Sequence, residues 1–267
     1  MAEPLIVART EGELHHVILN RPEKRNALTP EMLEQLAAAV AQADSLPAVR
    51  GVIVSAAGPI FSAGIDLMSL MQSKSDTEGV NPARWLRRLA DRLQYALHTI
   101  EGTEVPVIGA MHGQVMGLGL ELALAFDLRV AADDLKLSIP EARLGLVADV
   151  GGTTRLCRTV GPARAKDMLF TARSVDAAEA LSWGLVNRVV PAAEVLKTAT
   201  ELGKQIGANA PLAVGMAKRI VDQGDGLDKH TQMAIERWAQ SQLITTEDVG
   251  EAVAAFFEKR PPKFQGK

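Results

Sequence analysis

Three short apolar runs, Val52-Ile53-Val54, Val107-Ile108-Gly109-Ala110 and Leu128–Ala132, are each bounded by turn residues and lack the polar alternation of a half-exposed strand. Such runs are expected of strands covered on both faces, which requires helices above and below a largely parallel sheet. Ahead of them, Leu5–Thr10 and His15–Asn20 are rich in β-formers and flank Glu11-Gly12, predicting a hairpin. Thr29-Pro30-Glu31 then supplies an N-cap, a proline at the first helical position and an early acid, followed by Met32, Leu33, Leu36 and Val40 at helical spacing. A polar stretch, Gln72 to Pro82, predicts a loop before a helix that contains Trp85, Leu86, Leu89, Leu93 and Leu97.

From Ala163 onward the pattern turns helical. Helices are predicted over Ala163–Ala172, Val175–Trp183, Ala192–Ile206, Pro211–Asp222, Leu227–Leu243 and Asp248–Lys259, the last preceded by Thr245-x-x-Asp248, which approximates a capping box. Strands dominate early and helices late, so the expectation is a mixed α/β core carrying a C-terminal helical segment.

Composition narrows the function classes. A net charge of −3 gives no broad positive field for nucleic acid or anionic lipid, while a local basic cluster can still grip a phosphate-bearing small molecule. Cys157 is the only cysteine, which excludes an internal disulfide framework and a multi-cysteine metal site. Met1 to Arg9 lacks the basic start and apolar run of a signal peptide, and no apolar stretch is long enough for a bilayer, so a cytoplasmic location is expected. His15, His16, His98, His112 and His230 lack metal-ligand spacing. Ser62 is not in a G-x-S-x-G elbow, which disfavours a serine hydrolase.

Two glycine-containing turns lie near strand ends: Phe61-Ser62-Ala63-Gly64-Ile65-Asp66, and Gly113 through Gly117-Leu118-Gly119-Leu120-Glu121. Tight connection is the commoner use of such turns, but a pair of them can also leave backbone N–H groups free to bind a developing oxyanion. Gly117-Leu118-Gly119 resembles the start of a dinucleotide-binding fingerprint, yet Leu122 occupies the third glycine position, where its side chain obstructs close helix–strand approach. Glu121 sits among Leu118, Leu120, Leu122, Leu124 and Phe126, so its carboxylate is either partnered, with Arg129 or Arg143 as candidates, or functional. Glu141, after Pro140, can equally be a first-turn helix acid, and Asp149, before Val150-Gly151-Gly152, a cap or turn aspartate.

Taken in order, several blocks resemble the crotonase family, also called the enoyl-CoA hydratase/isomerase family. They are Leu19-Asn20-Arg21-Pro22-Glu23-Lys24-Arg25-Asn26-Ala27-Leu28, Phe61 to Leu67, Pro106 to Ala110 with the Gly113–Glu121 turn, and Pro140-Glu141-Ala142-Arg143-Leu144-Gly145. The resemblance covers essentially the whole chain. It implies an α/β fold, a crotonase-like spiral of ββα units over residues 1–200, with a C-terminal helical trimerisation region over 201–267 and a homotrimer or hexamer as the assembly. It further implies an acyl-CoA thioester substrate, with no cofactor beyond the coenzyme A of that substrate and no bound metal.

By the same resemblance, the thioester oxygen lies between the N–H groups of Ile65 and Leu118, the latter standing where many relatives have glycine, so that its side chain is expected to narrow the pocket. Lys24 and Arg25 are the expected phosphate contacts, Ala27, Ala63 and Asp66 line the coenzyme A site, and Lys259 matches a lysine that reaches a neighbouring subunit's nucleotide. Glu121 and Glu141 match the two glutamates that hold the water in enoyl-CoA hydratases. Leu146 to Gly151, with Asp149, and Gly64 to Met68 are similar to dienoyl-CoA isomerases, where a third acid shares in proton transfer. Hydration is the expected activity, with dienoyl-CoA isomerisation and a non-catalytic acyl-CoA-binding relative as alternatives.

Overall fold

The computed structural model describes residues 3–75, 79–224 and 226–267. The chain opens on the expected hairpin, β1 (Ile6–Glu11) paired antiparallel with β2 (Leu14–Leu19), turning at Gly12, whose φ of +60° suits glycine. Helix α1 (Pro30–Ala41) begins as its sequence dictates: the Thr29 side chain accepts the Met32 N–H, and Met32, Leu33, Leu36, Ala37 and Val40 form its buried stripe. Strand β3 (Gly51–Ala56) follows, then α2 (Leu67–Ser75) and α3 (Pro82–Glu101), then β4 (Val107–Met111), β5 (Gln114–Met116) and α4 (Leu118–Ala123). Next come β6 (Leu128–Ala132), β7 (Lys136–Ser138), α5 (Gly152–Val160) and α6 (Pro162–Thr171). The remainder is β8 (Val175–Asp176), α7 (Ala177–Trp183), β9 (Arg188–Val190), α8 (Val195–Gly207), α9 (Pro211–Gly224), α10 (Lys229–Leu243) and α11 (Glu247–Glu258).

One sheet runs β1-β2-β3-β4-β6-β9, parallel throughout after the hairpin, and a smaller one runs β5-β7-β8. Twice the chain passes from the large sheet to the small one: β4 leads to β5 and then to α4, and β6 leads to β7. Isolated parallel bridges Leu28↔Ile65 and Ser62↔Val115 extend the inner layer back toward the N-terminus. This is the spiral of ββα turns that the resemblance implies. Strand periodicity sorts the core: Val52 and Val54 face the cluster built with α1 and α3, while Ile53, Ile108 and Val130 face Val195, Ala199 and Leu202 of α8. Helix α8 therefore covers the large sheet, and the expected division after residue 200 falls inside it.

Several expectations are corrected. Val175 belongs to a strand, not a helix, because Asp176 is the N-cap of α7 and accepts the Glu179 N–H at 2.9 Å. The Thr245–Asp248 capping box does not form: Thr246 stands at the N-cap with its hydroxyl donating back to Leu243, and Asp248 turns its carboxylate to the N–H groups of Gln265 and Gly266. Helix α2 occupies the first part of the expected 72–82 loop, Asn81 caps α3, and residues 76–78 of that loop lie outside the described residues. In the C-terminal segment α10 buries only Ala239, and α11 only Asp248 and Ala255, leaving Trp238, Phe256 and Phe257 exposed. Among the described residues no helix is long and apolar enough to cross a membrane.

Candidate active site

The two glycine turns meet. Ser62, fully buried, donates its N–H to Gln114 and accepts the Met116 N–H on its carbonyl, while its hydroxyl donates to the Asn26 carbonyl and accepts the Gly64 N–H. Gly64 has φ +88°, and a Cβ placed there would stand 2.7 Å from the Met116 carbonyl oxygen and 3.5 Å from the Leu118 nitrogen, so only glycine lets the turns approach. The bridge to Leu28 uses the Gly64 carbonyl and the Asp66 N–H, which leaves the intervening Ile65 N–H outside the ladder. Leu118 is the first residue of α4, so its N–H has no intrahelical partner. Among the described residues neither N–H has an acceptor. The Leu118 side chain is 2% exposed and packs into the hydrophobic core, which corrects the expectation that it narrows a pocket.

One turn of helix beyond Leu118 stands Glu121, 2% exposed. Its Oε1 accepts the N–H groups of Val150 at 2.9 Å and Gly152 at 2.8 Å. Neither Arg129 nor Arg143 neutralises it: the buried Arg129 guanidinium donates to the carbonyls of Leu185, Phe126 and Ala123, and Arg143 is exposed. Burial pushes the Glu121 carboxyl up to about 7; the Gly152 N–H works against that, and the charge of Glu141 adds to it. Glu141 lies against the same turn, since a Cβ on Gly117 would fall 2.5 Å from its Oε1. Its Oε2 is buried without a partner among the described residues, and burial raises this carboxyl as well, helped by Asp149. Asp149 itself is exposed, its carboxyl raised by partial burial. A buried and a half-buried carboxyl, both elevated and near enough for the charge of Glu141 to act on Glu121, beside unpaired main-chain donors are equipment for moving protons next to a developing negative charge.

A profile of the enoyl-CoA hydratase/isomerase family matches residues 9–267. This chain belongs to the crotonase family. It is 36% identical over 256 residues to the short-chain-enoyl-CoA hydratase of Clostridium acetobutylicum, covering 96% of this chain and 95% of that protein. It is also 36% identical to the crotonyl-CoA hydratase of Syntrophomonas wolfei over the full length of both. The crystal structure of an enoyl-CoA hydratase from Bacillus anthracis superposes with a TM-score of 0.91 at 33% identity, covering 99% of this chain and all of the other. The fold is therefore the crotonase fold, and the chain is an enzyme of the hydratase/isomerase group.

Around the crotonase turns the structure gathers most of the expected coenzyme A residues. Lys24 and Arg25 are exposed on a short 3-10 turn, Arg25 in the left-handed region at φ +53°. The Arg25 carbonyl accepts the Ala63 N–H, and the Arg21 guanidinium joins the Ala27 carbonyl at 3.0 Å to the Asp66 carboxylate at 2.6 Å. Asp66 also caps α2 through the Ser69 N–H, and that bond, followed by Arg21, holds its carboxyl below the usual range. Both Asp66 oxygens are thus engaged within the chain. Lys259 is not brought to this group among the described residues: it ends α11 on the surface, at φ +53°. Sequence reasoning missed Asn26 as an organiser. It is fully buried, accepts the Arg21 N–H and donates to Ala57 and Ile60, tying the basic loop to the chain after β3. A fully buried asparagine amide with every bond made is a brace, and its place between charged Arg25 and apolar Ala27 was the available signal. No group of three or more His, Cys, Asp or Glu side chains among the described residues is arranged to hold a metal ion.

Proposed function

We propose that this chain is an enoyl-CoA hydratase that adds water across the 2,3 double bond of an acyl-CoA thioester. The observation that carries the proposal is the pairing of buried Glu121, one turn from the unpaired Leu118 N–H, with half-buried Glu141, both carboxyls raised by desolvation. With the thioester oxygen between the N–H groups of Ile65 and Leu118, negative charge on that oxygen is stabilised by fixed dipoles and Cβ of the conjugated enoyl group becomes electrophilic. One glutamate takes a proton from water as the oxygen bonds to Cβ, the π electrons move to form the enolate, and the other glutamate delivers a proton to Cα. Elevated carboxyls suit this, because each must exist in both protonation states near neutral pH.

Lys24 and Arg25 supply cations for the nucleotide phosphates beside the Ala63 and Ala27 backbone. Lys259 is assigned to a nucleotide bound by a neighbouring subunit. The exposed Trp238, Phe256 and Phe257 support a trimer or a hexamer built from trimers. Crotonyl-CoA supplied without any cofactor should lose its conjugated-thioester absorbance on adding the protein. No loss, with folded protein confirmed, sinks the proposal.

Asp149 favours a second activity, dienoyl-CoA isomerisation, because its charge acts on both Glu121 and Glu141. A 3,5-dienoyl-CoA ester converted to the 2,4 isomer by wild type, and not by Asp149→Asn, would establish it.

A further inference from the structure

The bonds that hold Glu121 continue behind it. The Val150 N–H that donates to Glu121 belongs to the peptide group whose carbonyl is that of Asp149, and that carbonyl accepts the side-chain amide of Gln94 at 2.5 Å. The Gly152 N–H belongs to the peptide whose carbonyl, on Gly151, accepts the Arg155 N–H at 2.8 Å. Between them the Val150 carbonyl accepts the Arg155 guanidinium at 3.0 Å, and that guanidinium is gripped by both oxygens of Glu101 at 2.5 and 2.6 Å. Gln94 and Glu101 are seven residues apart on α3, two turns of one face, so a single helix face backs the whole 149–152 turn. There is no room for slack: a Cβ on Gly151 would stand 1.9 Å from the Arg155 guanidinium, and one on Gly152 2.8 Å from Glu121 Oε1.

We propose that Gln94 is a positioning residue for Glu121, acting through the Asp149–Val150 peptide, with the Glu101–Arg155 pair as its partner on the same turn. A donor on an amide carbonyl polarises that amide and strengthens its own N–H as a donor, so Gln94 tightens the bond that stabilises ionised Glu121. Arg155 and Glu101 fix the angle at which both N–H groups arrive. The charged groups facing Glu121 are Glu141 from the segment after β7 and Asp149 from the turn, with Arg155 of α5 and Glu101 of α3 behind it. The consequence for the reaction rests on the hydratase proposal; the consequence for Glu121 itself does not.

The test reads Glu121 directly. In protein labelled with carboxyl-13C glutamate, the Glu121 resonance is identified by its loss in Glu121→Gln and titrated in wild type, Gln94→Ala, Gln94→Glu and Arg155→Lys. Removing the Gln94 donor should move the Glu121 midpoint upward by about half a pH unit. Hydration kcat should fall about fivefold with KM within twofold, and the pH limb that reports Glu121 should shift upward in step. Gln94→Glu, whose ionised carboxylate cannot donate, should move the midpoint at least as far, and serves where Gln94→Ala does not fold. A Glu121 midpoint unmoved in these variants overturns the proposal, including the case where kcat and Tm both drop, which marks a packing role only. If wild type hydrates no enoyl-CoA, the hydratase assignment falls while the titration still decides the role of Gln94.

Discussion

Glu121 and Glu141 occupy one site under opposite regimes. Glu121 is seated on a helix and has one oxygen saturated by two main-chain donors, so its orientation is fixed before any substrate arrives. Glu141 sits in a short 3-10 turn with a buried oxygen that no described group satisfies. An unsatisfied buried carboxyl oxygen costs stability on the order of 1–3 kcal/mol, which a fold retains only where something else uses the group. The contrast teaches that burial alone does not define a catalytic acid. What matters is how each proton position is supported, and here one carboxyl has an oxygen saturated by main-chain donors while the other keeps a buried oxygen with no partner among the described residues.

The largest expected effect tests whether both members are needed. Glu121→Gln and Glu141→Gln should each lower crotonyl-CoA hydration by about a hundredfold to ten-thousandfold while the fold survives, measured by kcat and circular dichroism. If only one of them matters, the pairing is broken as an account of the chemistry. Next come the glycines against which the carboxyls rest. Gly117→Ala would set a methyl 2.5 Å from Glu141 Oε1 at a residue with φ +49°, and Gly152→Ala would set one 2.8 Å from Glu121 Oε1. Displacing either carboxyl by about an ångström should reduce kcat up to about a hundredfold, and a crystal structure of the variant would show which carboxyl moved.

A smaller effect separates the glutamates by stability. The Glu121 carboxyl rises from 4.5 to about 7 on folding, so folding takes up a proton. The stability linked to that proton is full below pH 4.5 and is lost as pH rises toward 7. Glu121→Gln keeps an acceptor for both N–H groups and removes the loss. It should therefore stabilise the protein by about 3 kcal/mol at pH 8 and not at all at pH 4, read from urea midpoints at the two pH values. A gain equal at both would mean that ionisation is not its source. The smallest effect concerns Asp149, which is exposed and faces both glutamates only through its charge. Asp149→Asn should change hydration by less than about tenfold, and a larger drop with crotonyl-CoA would move this residue into the hydration chemistry itself.

Much of the frame was legible in residue order. Thr29-Pro30 announced α1, the fully apolar runs announced buried parallel strands, and a lone acid among leucines announced Glu121. The partner of that acid was not legible, because the guess of Arg129 or Arg143 relied on charge, whereas the donors are main-chain N–H groups about thirty residues downstream. Every residue carries an N–H, so composition holds no mark of which one is spare. Strands β8 and β9, of two and three residues, are too short to show a period, and their pairing with β7 and β6 is decided by the sheet they complete. Gln94 escaped for a similar reason: a polar residue on a helix next to Tyr95 has no local peculiarity, and its importance arises only from what α3 lies against.

The bridge between Ser62 and Val115 carries one more consequence. It fastens the two donor-bearing turns into a single block, while α2 starts immediately beyond the Asp66 cap and hangs from the outside of it. Exchanging residues 67–75 for another helical sequence should therefore leave the spacing of the Ile65 and Leu118 N–H groups undisturbed, so that this helix can change without touching the donor pair.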